Sequence, residues 1–197
     1  MQSLSLLYTV RKMVDEREYH SLFVPPSIRD HTQGMLSAAV VLVMYGDYEC
    51  FQSANAYRLI KAAQLQLSPA FKENDVCFIF RHFPQVQIHP HAQRAAEAAE
   101  AAAVQGRFWQ MHEMLFTHQQ ALENGYLVEY ANRLRLNIPL FLQGLSNGAY
   151  VDRINTDIKS GQQIGVEAAP ALFINRIRYR NFWSIEHLVK AVIATRN

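Results

Sequence analysis

Ala38 to Met44 reads AAVVLVM, an unbroken apolar, β-branched run of the kind that fills a strand buried on both faces. A polar junction, Tyr45 to Cys50, gives way to a helical pattern from about Cys50 to Leu67, which offers Tyr57, Ile60, Ala63, Leu65 and Leu67 for burial. Pro69 falls where that helix should stop. VCFIF, Val76 to Phe80, reads as a second buried strand, and strand–helix–strand predicts a right-handed parallel crossover. A long helical region follows. HPHAQRAAEAAEAAAVQG places Pro90 near a helix start, packs seven alanines between Ala95 and Ala103 for close helix contact, and stops at Gly106. RFWQMHEMLFTHQQ predicts a second helix, with Phe108, Met111 and Leu115 on one side. Three more helices follow, broken at Gly125, Pro139 and Gly148. The period then returns to that of strands. Pro170–Asn175 and Ile177–Phe182 predict an antiparallel pair turning at Asn175-Arg176. Ser184 caps a closing helix striped by Ile185, Leu188, Val189 and Val192. Ahead of all this, Leu6, Val10 and Met13 predict an amphipathic helix over 3–19, ended by the polar, Pro-rich FVPPSIRDHTQG. That helix packs on the body or on a second copy in a homodimer; the pattern leaves both open.

Composition narrows the class. Half of the 197 residues are hydrophobic, 18% are charged, and the formal net charge is +2. The basic residues are scattered, so nothing argues for nucleic acid or an anionic membrane as partner. Arg176, Arg178 and Arg180 alternate as the solvated face of a strand does. No apolar run approaches the ~20 residues of a membrane span, and the first residues lack a cationic leader, so the expected location is cytoplasmic, where thiols stay reduced.

Two cysteines make no disulfide scaffold. Cys50 sits where the first strand hands over to a helix, near unpaired N–H groups and the positive end of the helix dipole, and both favour a thiolate. Asp47 and Glu49 oppose that where they come close, but read first as turn and solvent residues. Ser53 stands one helical turn beyond. Its hydroxyl can hydrogen-bond a thiolate; it cannot attack a mixed disulfide and release a product. Cys77, near the start of the second strand, lies at the opposite sheet edge, separated by a helix of about 25 Å, far beyond the ~7 Å a disulfide spans. It reads as an inert core thiol. No metal site is expected: His82 falls at a strand end, His89 and His91 flank Pro90 as structural or capping residues, and His112 and His118 do not share a helix face.

Three separated motifs carry a resemblance. LVMYGDYEC, then FIFRHFP with HPHAQRAAEAAEAAAVQGRFWQMHEMLF, then VEAAPALFINRIRYRNFWSIEHLVKAV together resemble the DsbA-like thiol-disulfide oxidoreductases over roughly Val40 to Ile193. The resemblance implies an α/β thioredoxin fold: β-α-β over 36–90, a helical insertion over 91–165, and β-β-α over 166–197, with 1–35 left as an N-terminal helix and linker. It makes Cys50 the reactive position, with Ser53 beside it. It gives Pro170 the role of the cis-proline facing the cysteine, with the Ala169 backbone, Tyr48, Phe51 and Gln52 forming the substrate groove. Two departures matter. Cys50-Phe51-Gln52-Ser53 stands for Cys-x-x-Cys, and Ala168-Ala169-Pro170 lacks the usual Gly-Thr before the proline. The expected function is monothiol disulfide exchange, with mixed disulfides to protein thiols or glutathione resolved by an external thiol and no other cofactor. A redox-inactive binding module is the alternative, and a glutathione-dependent transferase the third reading.

Overall fold

In the computed structural model, which describes residues 24–68 and 75–196, a five-stranded mixed sheet runs in the order β1-β3-β2-β4-β5. The elements are β1 (His31–Gln33), β2 (Val40–Gly46), α1 (Phe51–Leu67), β3 (Val76–His82), α2 (Ala92–Ala103), α3 (Phe108–Thr117), α4 (Asn124–Arg133), α5 (Ile138–Ser146), α6 (Val151–Gln163), β4 (Ala171–Ile174), β5 (Ile177–Arg178) and α7 (Ile185–Arg196). β2 and β3 pair in parallel from Val40↔Val76 to Gly46↔His82, with α1 as the crossover. β4 returns antiparallel to β2, and β5 to β4.

Period-2 alternation sorts the central strands into two cores. Leu42, Met44, Phe78, Phe80, Leu172 and Ile174 enter the larger core, shared with Tyr57 and Ile60 of α1, Leu188 and Val192 of α7, and the alanines of α2. Val43, Tyr45, Cys77, Ile79, Ala171 and Phe173 face the smaller one, closed by Phe83, Ile164 and Val166. Each fully buried large side chain contributes roughly 1.5–3 kcal/mol. The alanines let α2 lie close to α3 and α5, and the insertion shares one apolar core with the sheet. The β4–β5 turn uses positive φ at Asn175 (45°) and Arg176 (73°), the mirror-image geometry that a two-residue hairpin needs. Asn175 secures it, accepting from Val41 N at 2.7 Å and donating to Ala39 O at 2.9 Å.

Several expectations are corrected. HTQ, inside the stretch read as linker, forms β1 and pairs antiparallel with β3 (His31↔Phe80). Three polar residues on a sheet edge carry no apolar alternation, so the pattern hid them. β5 ends at Arg178 instead of running to Phe182. Leu65 is exposed. The helix expected over 3–19 and the stop at Pro69 lie outside the described residues. The edge strand turns into β2 through Gly34, whose φ is +96° and where an added Cβ would stand 2.6 Å from Val76 O. Gly34→Ala therefore forces a side chain into both a strained backbone and a carbonyl. It is expected to cost about 1–3 kcal/mol, read as a lower midpoint in urea unfolding.

Candidate active site

Cys50 is the N-cap of α1: its extended backbone (φ −78°, ψ 116°) leads into the first turn, and its carbonyl accepts from Ala54 N. The side chain is only 3% exposed. Its Sγ lies 3.3 Å from Gln52 Oε1 and 3.6 Å from Ala169 O, two acceptors for the one S–H. The Ala169–Pro170 peptide bond is cis, and the loop it belongs to faces the sulfur across the end of the sheet. The site thus brings Cys50, Gln52, Ala169 and Pro170 together. Phe51, 68% exposed, stands beside them at the surface.

Two other expected site residues point elsewhere. Tyr48 is no groove residue: it is buried, stacks on Phe80, and its hydroxyl lies 2.9 Å from His112 Nδ1. Ser53 is fully buried and does not bond the sulfur; its Oγ accepts from Asp47 N at 3.2 Å. Helical spacing brings Ser53 near Cys50, but the turn just before the helix offers the hydroxyl an unpaired amide first.

Asp47 is the largest surprise. Read as a turn residue in solvent, it is buried, and its carboxylate accepts from Glu49 N (2.8 Å) and Gln85 N (2.8 Å) and lies 2.8 Å from His89 Nδ1. Glu49 likewise accepts from His91 N at 2.7 Å. Both acids therefore tie the cysteine turn to the loop after β3. That loop reaches the proline turn as well, because Gln85 Oε1 accepts from Ala169 N at 3.0 Å. From the insertion, Gln119 Nε2 donates to the carbonyls of Tyr48 (2.7 Å) and Cys50 (2.9 Å). Gln85, His89 and Gln119 escaped sequence reasoning. They lie 38 to 71 residues from the turn residues they hold, and no local pattern marks them.

The histidines divide differently from expectation. His82 is buried and shares Glu100 Oε1 with His31, at 2.9 and 2.7 Å. The three donor atoms lie within 4.8 Å of one another, and Arg153 Nε stands 4.0 Å from the same oxygen. Burial opposes a charge on Glu100, but the His31 and His82 bonds outweigh it and hold the carboxyl well below the usual carboxylate range. Cys77 is free and fully buried; desolvation, then Asp30, pushes its thiol up to about 11. From Val41, its partner across the ladder, to Gly46 at the site end is five residues, about 16 Å, so it cannot reach Cys50.

A cysteine at the start of the helix after the first parallel strand, faced by a cis-proline turn, defines a thioredoxin-fold protein with a helical insertion. Residues 27–194 match the family model described as Thioredoxin, and the chain belongs to that family. The fold is similar to that of BdbD from Bacillus subtilis in its oxidised form (22% identity, TM-score 0.73, covering 87% of this chain and 96% of that one). It is similar also to the thiol-disulfide exchange protein alpha-DsbA2 from Wolbachia pipientis (18%, TM-score 0.74, 94% and 97%). At these identities the likeness shows the fold, the DsbA-like form of thioredoxin. Sequence relatives include proteins named Na(+)/H(+) antiporter NhaA 3 from Salinispora tropica (36% identical over 166 residues, 84% of this chain and 24% of that protein) and Na(+)/H(+) antiporter NhaA from Herminiimonas arsenicoxydans (35% over 173 residues, 88% and 26%). The chain spans about a quarter of the length of these curated relatives. Among the described residues, no helix is long and apolar enough to cross a membrane.

His112, in the core behind the site, yields a pH signature. Burial first, then His82, His31 and Lys61, hold its imidazole well below the ordinary value of 6.5. The unfolded chain therefore binds a proton that the folded one refuses, and stability falls as pH drops below 6.5. One such group accounts for at most about 2 kcal/mol lost between pH 7 and pH 5. His112→Phe is expected to flatten that part of the stability–pH curve by a similar amount, measured by denaturant unfolding at both pH values.

Proposed function

We propose that this domain carries out monothiol disulfide exchange through Cys50. The thiolate attacks a disulfide R–S–S–R′. A Cys50–S–S–R bond forms, the S–S bond of the substrate breaks, and R′–S⁻ leaves. An external thiolate then attacks the mixed disulfide, restores Cys50 as thiolate and carries R away as a new disulfide; no net electrons remain on the protein. Glutathione in a reducing cytoplasm is the resolving thiol this reading names. The observation that carries it is the pairing of Cys50 Sγ with Ala169 O at 3.6 Å, which sets the thiol against the edge where an extended substrate lies. Ser53 cannot complete the exchange and Cys77 is sealed in the sheet, which leaves resolution to an outside thiol. The antiporter activity in the relatives' names belongs to those longer proteins.

A second reading, a binding module without redox chemistry, draws on the 3% exposure of Cys50 and on the two oxygens at its sulfur. These suit an S–H; a thiolate needs the Gln52 amide to turn its NH2 end inward. In this reading the exposed Phe51 is the contact.

Incubation with glutathione disulfide followed by peptide mass spectrometry separates the two. Exchange predicts one glutathionyl adduct, on Cys50 and not Cys77, released by reduced glutathione. Ser53→Cys then supplies a resolving thiol, and the adduct gives way to an internal disulfide between positions 50 and 53. An unmodified Cys50, or labelling of Cys77 at an equal rate, favours the binding module.

A further inference from the structure

The backbone N–H and the backbone carbonyl of Ala169 are both already occupied from within the protein. Its carbonyl faces Cys50 Sγ at 3.6 Å, and its N–H donates to the side-chain amide oxygen of Gln85 at 3.0 Å. The first of these partners clears itself in the reaction, because the Cys50 S–H proton is gone once the thiolate attacks. The second does not. A Gln side chain ends in a primary amide, so Oε1 presents to Ala169 the same acceptor that a peptide carbonyl presents. It arrives from a loop that is itself fixed: the Gln85 backbone N–H is held by the buried Asp47 carboxylate at 2.8 Å. Gln85 is half-buried, at the rim of an open groove of about 680 Å³ that runs past Phe83, Val86, Gln162 and Val166. The side chain therefore has room to swing out, while its backbone stays put.

We infer that Gln85 is an internal stand-in for substrate: its amide occupies the backbone donor that an extended peptide needs, and a peptide docks beside Cys50 only by displacing it. The inference rests on the reading of Cys50 and Ala169 as an exchange site. It makes Gln85 a specificity-determining residue. A substrate that offers a backbone carbonyl in extended geometry recovers the lost hydrogen bond and pays little for the exchange. A small disulfide without a peptide backbone neither displaces Gln85 nor gains from its removal. Discrimination is thus set by main-chain geometry at the hydrogen bond Gln85 makes to Ala169.

The test uses a redox-inert extended peptide, with serine in place of its cysteine, titrated into the protein with the Ala169 amide followed by NMR. In the wild type that amide reports Gln85; on titration it is expected to move as the peptide replaces the side chain. Gln85→Ala removes the competitor and is expected to tighten peptide binding by roughly threefold to tenfold, one hydrogen bond's worth. Gln85→Glu keeps an acceptor and strengthens it with charge, so binding is expected to weaken below wild type. A variant that merely loosens the fold does not move affinity in both directions. Equal affinity for all three proteins, weaker binding to Gln85→Ala, or a peptide whose signals bypass the Ala169 amide overturns the inference. Because no sulfur takes part, the result is independent of the chemistry. Tight, Gln85-controlled peptide binding with no glutathione adduct on Cys50 sustains the inference on Gln85 and sinks the exchange reading. An adduct on Cys50 with unaltered peptide affinity does the reverse.

Discussion

A single buried carboxylate organises the site. Asp47 opens the turn that leaves β2, and its two oxygens accept from the backbone of its own turn at Glu49 and from the β3–α2 loop at Gln85, with the His89 ring alongside. Its own amide takes up the Ser53 hydroxyl. A buried carboxylate must be satisfied by protein donors, and here those donors belong to the two loops that bracket the cysteine. The charge that reads as a solvated turn in sequence is thus the pin between Cys50 and the loop carrying Gln85, which in turn reaches the proline turn through Ala169. Glu49 and Gln119 add parallel ties from α2's entry and from the insertion. Position, not a neighbouring cation, is what these residues supply to the thiol.

This arrangement explains how the site retains its geometry with half of the usual sulfur pair. Position 53 still closes the first turn of α1, but its hydroxyl has been drawn into the backbone of the turn instead of onto Cys50. Removing the second thiol removes the intramolecular escape from a mixed disulfide. It leaves intact the features set by the fold: the helix start and the cis-proline turn that faces the sulfur. The insertion contributes more than bulk. Tyr48, stacked on Phe80 and facing His112, roots the turn in the insertion core, and Trp109 Nε1 donates to Thr32 O at 3.0 Å, fastening the insertion to the edge strand.

Legibility followed physical range. The buried central strands, the alanine-rich α2 and the Asn175-Arg176 turn were readable because each is encoded locally, by apolar runs, by composition and by turn geometry. Cys50 and Pro170 were readable through their resemblance to the DsbA-like pattern. β1 was not, since His31-Thr32-Gln33 owes its strand conformation to the partner β3 and to nothing in its own periodicity. The resemblance expects Tyr48, two residues before the cysteine, in the groove; an aromatic ring with one hydroxyl satisfies itself better in a core that offers His112. The roles of Asp47, Gln85 and Gln119 were invisible for the same reason. A polar side chain bonding a distant backbone leaves no trace in spacing.

Asp47 couples the cysteine turn to the loop after β3. Native-state hydrogen exchange of the Glu49 and Gln85 amides in Asp47→Asn, against the wild type, examines this coupling most directly. Asparagine keeps one acceptor and turns a donor toward groups that are themselves donors. Coupling predicts that both amides lose protection together, each by roughly tenfold, the scale of one charge-assisted hydrogen bond. Wild-type protection at both amides, or loss at Glu49 alone, would contradict it.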